Sequence, residues 1–544
     1  MTLTILVAGA GVGGLTLAKS ISVLALEQRK ELEIEVIVVE RSKVLPSTGH
    51  GLTLFEGVGV LSRLGLKDEL DGISSILTKQ IVTADGKHIT SNKIEVENKE
   101  FYPRGVRRPD LVQVLFDSLV LEDDMKSNDN ENNIVKVSVK FDWEVVDVVQ
   151  MQDDVDNNKN KQNKVKIVNQ RHEEIVGDIL VGFDGINSCV RAAIIDATST
   201  SSRSARYDSA GNCNSLGTDC KEFGQCCVLL GTAHYSKTAS SLPADLNKTG
   251  LGTTLTPPPP DTLVHHFDRK TGSVGVYSSV GCGRKTSSYA WTIGYRCPID
   301  PGRNPDWNDS DKGLASSLDL VTHGWSSDSS STSNVSPSAS LNKYDFRSLL
   351  SCSKGCMELG IYTQSSTQAK QPWYYGSCMV SGGDSTHAVL PLLGEGANLA
   401  LCDGVVLARH LMTCILGNIS NNGADTTSIG RNDEKIRDAF QKYEDERRPF
   451  GASGITMTKF LRPIMLSQNC AVCYLRNIAM GHMLKHTWPQ SYLRAQDAYF
   501  LLDRPMRNRN PHANIAFNDV GLVLAHVALI GGCITAIAWH YATS

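Results

Sequence analysis

"ILVAGAGVGGLTLAKSIS", from Ile5 to Ser22, decides how the chain is read. Gly9, Gly11 and Gly14 stand in a G-x-G-x-x-G pattern between an apolar run and an amphipathic one. Residues 3–8 predict a strand, Gly13 to about Arg29 a helix, and "EIEVIVVE" a second strand ending at Glu40. Together they make a βαβ unit. Gly9 permits the tight turn after the strand, Gly11 lets backbone N–H groups approach a pyrophosphate, and Gly14 lets helix and strand pack closely. The helix N-terminus then faces the anion. Glu40 stands where an acid accepts hydrogen bonds from a ribose 2′-OH, and its charge disfavours a 2′-phosphate. The motif does not distinguish a diffusing dinucleotide from a resident one, and a Gly-rich turn can also hold no ligand.

Composition narrows the classes. A chain of 544 residues predicts two or more domains, and 41% hydrophobic residues can build their cores. Lys and Arg number 54 against 58 Asp and Glu, so no basic excess points to nucleic acid. The 15 cysteines are scattered, which fits reduced thiols better than a disulfide scaffold. Cys213, Cys220, Cys226 and Cys227 cluster without paired C-x-x-C spacing, so a disordered insert is preferred to a zinc site. No basic n-region precedes the first strand, so no cleavable signal is expected. Gly521 to Ser544 holds no charged side chain apart from histidine, and residues 520–541 are long enough to span a bilayer core. Trp539 and Tyr541 suit its interface, and Arg504, Arg507 and Arg509 upstream would keep the body cytoplasmic. We expect a single-pass C-terminal anchor in the endoplasmic reticulum or a similar membrane; a buried core helix is the alternative.

Elsewhere "GVGVLSRLGLKDELDGI" carries apolar residues at helical spacing, residues 76–100 predict strands, and "RPDLVQVLFDSLV" opens a helix near Arg108. The polar runs "EDDMKSNDNENN" and "DDVDNNKNKQNK" predict loops, flanked by strands in "VKVSVKFDWEVVDVVQM" and "KVKIVN". Residues 196–222, the Ser-rich 326–342 and "TPPPPD" predict insertions and a rigid loop. "LVHHFDR", "GSVGVYSSV" and "SYAWTIGYR" predict strands, and "KIRDAFQKYEDERRPF" an amphipathic helix. There is no internal repeat.

Two further stretches carry chemistry. "DILVGFDGINSCVR" is a buried strand ending at Asp184-Gly185, with Ser188 and Arg191 following; alone it reads as a turn. "GGDSTHAVLPLLGEGANLALCD" has a strand ending at Gly383-Asp384, then Pro391, the Gly394-Glu395-Gly396 turn and a helix from about Ala397. An Asp at a strand end can bind a ribityl or ribose hydroxyl. A turn feeding a helix offers N–H groups and a dipole to an anion.

In order and spacing over most of residues 3–450, these three stretches resemble the class A FAD-dependent monooxygenases, the aromatic hydroxylase or p-hydroxybenzoate hydroxylase-like family. The resemblance implies a glutathione-reductase-type, Rossmann-like α/β FAD-binding domain interleaved with a β-sheet substrate domain; C-terminal helices and the expected transmembrane tail follow it. It divides the chain into FAD-binding stretches 1–75, 104–195 and 376–450, a β-rich substrate part at 76–103 and 196–375, a helical region at 451–515 and the tail 520–541. It implies cofactor contacts from Gly9, Gly11, Val12, Gly13, Gly14, Glu40, Arg41, Gly51, Leu52, Arg108, Asp184, Gly185, Arg191, Gly383, Asp384, Pro391, Gly394, Gly396, Ala397 and Asn398. "GHGLTL" (Gly49–Leu54) resembles the loop bordering the flavin ring, and "YEDERRP" (Tyr443–Pro449) the family's common helix end. Ser385 and Thr386 replace a frequent Ala-Ala, and Cys402 a frequent Glu. The W-x-W-x-I-P motif of flavin halogenases and the Arg-His-Pro pattern of squalene epoxidases are absent.

The resemblance implies that NAD(P)H reduces FAD, O2 adds at C4a, and the hydroperoxide hydroxylates or epoxidises a small organic substrate, lipophilic or aromatic. No metal and no catalytic triad is expected. His387 is a weak general-base candidate and more often structural in such a place. Tyr277, Trp291 and Tyr295 are substrate-pocket candidates, a core role being at least as good a reading. The other class of function is a flavoprotein of the same fold without oxygen transfer, such as a prenyl-chain reductase or a redox-gated interaction protein.

Overall fold

The first apolar run becomes the strand Thr2–Ala8 (β1), buried on both faces along most of its length. Its near-continuous hydrophobicity is that of a central parallel strand. The computed structural model describes residues 2–28, 33–45, 51–85, 87–93, 99–126, 135–152, 163–198, 221–236, 261–281, 286–298, 349, 353–364, 370–420 and 432–505. Cys213, Cys220, Pro257–Pro260, the Ser-rich 326–342 and the apolar tail 520–541 lie outside the described residues.

β1 pairs in parallel with Glu33–Val39 (β2) and Ile179–Gly182 (β12). Val135–Lys140 (β8) extends this sheet beyond β2, and Met379–Ser381 (β19) and Tyr374–Tyr375 (β18) extend it beyond β12, giving six strands. A small antiparallel sheet, Val145–Gln152 (β9), Asn163–Asn169 (β10) and Glu174–Gly177 (β11), leads back into it. Helix Val12–Gln28 (α1) lies between Arg108–Lys126 (α4) and a long apolar helix, Gly396–Ser420 (α6). A Cβ at Gly404 of α6 would lie 2.9 Å from the Gly13 carbonyl, so the two helices meet backbone to backbone. Within α6, Gly396–Leu416 is long and apolar enough to cross a membrane, yet 72% of its apolar window is buried inside the protein. Core packing accounts for its composition.

A second, seven-stranded sheet runs in the order Ser353–Gln364 (β17), Lys221–Ser236 (β13), Thr286–Arg296 (β16), Ser273–Ser279 (β15), Thr262–Asp268 (β14), Lys79–Ala84 (β5), Lys87–Lys93 (β6). Its pairs are antiparallel except β14 with β5. A small sheet, Gly51–Leu54 (β3), Arg104–Arg107 (β7) and Ser74–Ile76 (β4), presses its backbone onto this one: a Cβ at Gly105 would lie 2.1 Å from the Ser279 carbonyl.

Three local expectations need correction. The run "GVGVLSRLGLKDELDGI" folds as two helices, Glu56–Arg63 (α2) and Lys67–Ile73 (α3), broken where Gly65 takes φ +78°. Helix α4 continues to Lys126, five residues into a run expected to be loop; its Glu, Asp, Met and Lys tolerate helix well enough. "YEDERRP" is no helix end: Asp433–Met465 (α7) passes through Pro449 and Pro463. A proline inside a helix costs about 3 kcal/mol. Beyond Pro449, α7 buries Phe450, Gly451, Gly454, Ile455 and Thr458, which offsets that cost. Helix α5, Cys189–Thr198, follows β12, and Cys470–Tyr499 (α8) closes the described chain against α2 and the edge of the second sheet.

The carboxylate of Asp403, fully buried in α6, joins these parts. It accepts from the Gly383 N–H at 2.9 Å and from Arg447 Nε of α7 at 2.6 Å, and it pairs with His387 Nε2. Burial alone would raise its pKa. The charges and hydrogen bonds of His387 and Arg447 outweigh that and lower it to about 2. Its contribution to stability is therefore complete above about pH 4 and is lost as pH falls through about 2. Asp403→Asn is expected to destabilise the fold by about 3–5 kcal/mol, because Arg447 stays buried without its counter-charge. Urea unfolding of the variant measures this, and a loss under 1 kcal/mol would refute it.

Candidate cofactor site

At the end of β1, Gly9 takes φ +101° and its N–H donates to the Val39 carbonyl at 2.8 Å. A Cβ there would lie 2.4 Å from the Phe183 carbonyl, and one at Gly14 would lie 2.1 Å from the Gly9 carbonyl. Gly11 differs. A Cβ at Gly11 meets nothing within 4 Å, so the open side of the loop lies beside the N-terminus of α1, where Val12 and Gly13 begin the helix. Glu40 accepts from the Ala10 N–H at 3.0 Å and the Ser42 N–H at 2.9 Å, which fixes its carboxylate against the loop. Arg41 beside it is exposed.

The Asp184-Gly185 turn is a helix cap. The Asp184 carboxylate accepts from Ser188 Oγ at 2.5 Å and from the Cys189 and Val190 N–H groups at 2.8 and 3.3 Å, satisfying the start of α5. Arg191 is buried and donates to the Pro372 and Gln371 carbonyls at 2.5 and 3.4 Å. Both side chains, expected at the cofactor, are engaged within the protein. Sequence reading passed over Phe183 just before them. Its ring lies 2.4 Å from where a Gly13 Cβ would be, 2.8 Å from one at Gly382 and 3.2 Å from one at Gly383. One phenylalanine thus brings all three glycine-bearing stretches into contact.

At the third stretch, Gly383 takes φ +61° and a single helical turn, Asp384–His387, follows. Pro391–Leu393 forms a 3-10 turn ended by Gly394 at φ +68°, and α6 begins at Gly396 and Ala397. The Asp384 carboxyl is accessible yet closely surrounded, as a cleft-lining group is. That enclosure raises its pKa, against the opposing charges of His387 and Arg108. Its Oδ1 lies 3.9 Å from where a Gly396 Cβ would be, so Asp384, the first turn of α6 and the charge of Arg108 converge. Asn398 is otherwise employed: its Oδ1 accepts from the Phe55 and Gly57 N–H groups at 2.8 and 3.1 Å. Its Nδ2 donates to the Thr53 and Gly394 carbonyls at 3.0 and 3.2 Å. All four hydrogen-bond positions of the amide are used, so its side chain ties α6 to β3 and α2 rather than reaching a ligand. His387, 2% exposed, is held by Asp403 and packed on Trp373, which is the structural role.

The sequence matches no protein-family model and no curated protein. Solved structures do match. Klebsiella pneumoniae HpxO complexed with FAD and uric acid is 14% identical, with TM-score 0.59 over 90% of this chain and 97% of that one. CtdE in complex with FAD and substrate 4 is 15% identical, with TM-score 0.56 over 97% and 100%. The tetracycline destructase Tet(55) is 15% identical, with TM-score 0.53 over 91% and 97%. The fold is that of the FAD-dependent class A monooxygenases.

In this fold the two faces of the second sheet carry different residues, and Tyr277, Trp291 and Tyr295 share one of them. Tyr277 pairs directly with Trp291, and Tyr289, Trp291 and Ile293 share that face with Val264 and Leu349 in a closed cluster. Trp291 Nε1 donates to Ser353 Oγ at 2.7 Å. Tyr295 packs on the same cluster. The opposite face meets the Pro391 turn and β3: Val82, Phe267, Val274 and Val276 pack with Leu390 and Leu392, and Ala290 stands against Gly51. A period of two places residues such as Tyr277 and Val276 on opposite faces, so the three aromatics lie on the face away from the Pro391 turn. His265, level with Val276, is on the same face as Val276, toward the Pro391 turn. Burial lowers its pKa to about 4, so it is uncharged at neutral pH. Among the described residues no group of His, Cys, Asp and Glu could hold a metal ion.

These contacts predict opposite behaviour for two neighbouring glycines. Gly14→Ala drives a Cβ into the Gly9 carbonyl and should lower thermal stability. Gly11→Ala should leave unfolding nearly unchanged while weakening FAD binding about tenfold or more, because its methyl occupies the open side of the loop. Thermal unfolding of the apoprotein and FAD titration separate the two effects.

Proposed function

We propose that the chain is an FAD-dependent monooxygenase that uses NAD(P)H and O2 to oxygenate a small organic substrate, largely apolar or aromatic. The observation that carries this is the convergence of Asp384, the free first turn of α6 and the open side at Gly11 on a class A fold. The residues fit FAD. The N-terminus of α1 suits its pyrophosphate, with Glu40 beside the loop for the ribose. Asp384 suits a hydroxyl of the ribityl chain, and the start of α6, at Gly396 and Ala397, suits the electron-rich edge of the flavin ring. Arg108 adds positive charge near Asp384. Gly51, Leu52, Pro391 and Gly394 would border the ring, and Gly185 and Arg41 would stand further out. The stretches 1–75, 104–195 and 376–450 form the FAD-binding part, and 76–103 with 196–375 the substrate part.

Bound flavin would take two electrons from NAD(P)H and pass them to O2. One oxygen atom enters the substrate and the other leaves as water, so one NAD(P)H and one proton are consumed per oxygenation. The protein's part is to hold the ring against the second sheet and exclude water. On that sheet, Val82, Val276 and Leu263 surround His265, whose uncharged imidazole can hydrogen-bond a substrate without demanding a charge on it. Uric acid in HpxO and substrate 4 in CtdE are small molecules, which supports a small-molecule substrate here. The apolar tail supports association with a membrane and access to lipophilic substrates.

Purified protein is expected to carry a yellow flavin released as FAD on denaturation. With substrate present it should consume NAD(P)H and O2 in equal amounts, yielding one oxygenated product for each pair. Flavin that cycles with NAD(P)H without incorporating oxygen from 18O2 would favour the reductase reading. Deleting the residues after Asp519 should move the protein from the membrane fraction to the soluble one, and continued pelleting would count against the anchor.

A further inference from the structure

The turn that introduces α6 holds a buried charge that the oxygenation reading does not use. Glu395 lies between Gly394 and Gly396, and its carboxylate turns into the protein, where both oxygens accept from Arg494 Nη2 of α8 at 3.1 Å. The same guanidinium pairs with Glu56, the first residue of α2, whose Oε2 is buried without a partner among the described residues. All three side chains are about nine-tenths buried or more. The approach is built into the backbone: a Cβ at Gly59 would lie 1.9 Å from the Ala495 carbonyl, so α2 and α8 touch at the residue next to Arg494.

Two carboxylates therefore share one cation, and each also sits at the positive end of a helix. Burial pushes Glu395 up to about 7, with Arg494 opposing and Glu56 adding to the rise. Around the turn, the facing charged groups are Arg494 from α8, Glu56 from α2, Asp384 from the turn after β19 and, beside Asp384, Arg108 from α4. An unneutralised Glu395 would compete with any anion on the cleft side of α6 for the same helix end. We infer that Arg494 is an electrostatic positioning residue of the cofactor site: by neutralising Glu395 it leaves the N-terminus of α6 free to stabilise the negative charge of reduced flavin. This rests on FAD lying at α6, as proposed above.

The test is a cycle of variants, each loaded with FAD and equilibrated without oxygen against a reference redox dye. At about pH 8.5, Arg494→Met should lower the ratio of reduced to oxidised bound FAD by about tenfold or more. Arg494→Lys should keep most of the wild-type ratio. Glu395→Gln combined with Arg494→Met should recover most of that drop, because only the Glu56 carboxylate, on the far side of the turn, is then left without its cation. The drop in Arg494→Met should grow as pH rises and shrink as it falls, since Arg494 opposes protonation of Glu395 and without it the carboxyl holds its proton to a higher pH. An equal drop in the single and double variants, or no drop at about pH 8.5, overturns the inference and assigns Arg494 a purely structural role. Should Arg494→Met not fold, Glu395→Gln alone decides: it should raise the reduced share, and an unchanged ratio overturns the inference. Wild-type protein that binds no FAD would instead remove the flavin reading and this inference together.

Discussion

A single buried carboxylate holds the glycine turn after β19 to the two long helices that follow it. Asp403 receives the Gly383 N–H, His387 and the Arg447 guanidinium, and so joins the turn after β19, helix α6 and helix α7. Removing a charge of this kind from water is costly, and the attraction recovers it only where every lone pair is used. Here two cationic or hydrogen-bonding side chains and a backbone donor surround it. The geometry of Gly383-Asp384 follows, because the same carboxylate that anchors Arg447 also fixes the peptide leading into Asp384. The cleft is in this sense suspended from the core.

The sequence was most legible where one local pattern has one structural solution. An apolar run, a glycine turn and an amphipathic run give β1, the Gly9–Gly14 loop and α1 because sterics allow little else. It was less legible where a motif's residue types serve both fold and ligand. Asp184 and Arg191 stand at their expected places, yet one caps α5 and the other clamps the Gln371 and Pro372 carbonyls. Asn398 likewise exhausts its amide on backbone groups. A pattern reports that a residue is needed, not which partner needs it.

The second sheet shows another limit. Both its faces are covered, one by the Tyr277–Trp291 cluster and the other by the Pro391 turn and the ends of α7 and α8. Alternation of polar and apolar residues, which would mark the inner face of a half-exposed sheet, is therefore missing. Large aromatics drew attention to the closed face, while the face toward the Pro391 turn carries mainly valines with Phe267 and His265. The buried Glu56–Arg494–Glu395 contact was invisible for a different reason: Arg494 lies 99 residues from Glu395 and 438 from Glu56, and no spacing rule connects them.

Phe183 has a consequence for how the protein is assembled during synthesis. Its ring is the common neighbour of Gly13, Gly382 and Gly383, and its carbonyl is that of Gly9. The first βαβ unit can form as soon as it leaves the ribosome, but the wall behind its glycine loop is incomplete until β19 and α6 have been made. The wall behind the glycine loop is therefore built from segments far apart in the chain, the kind of long-range closure that slows folding.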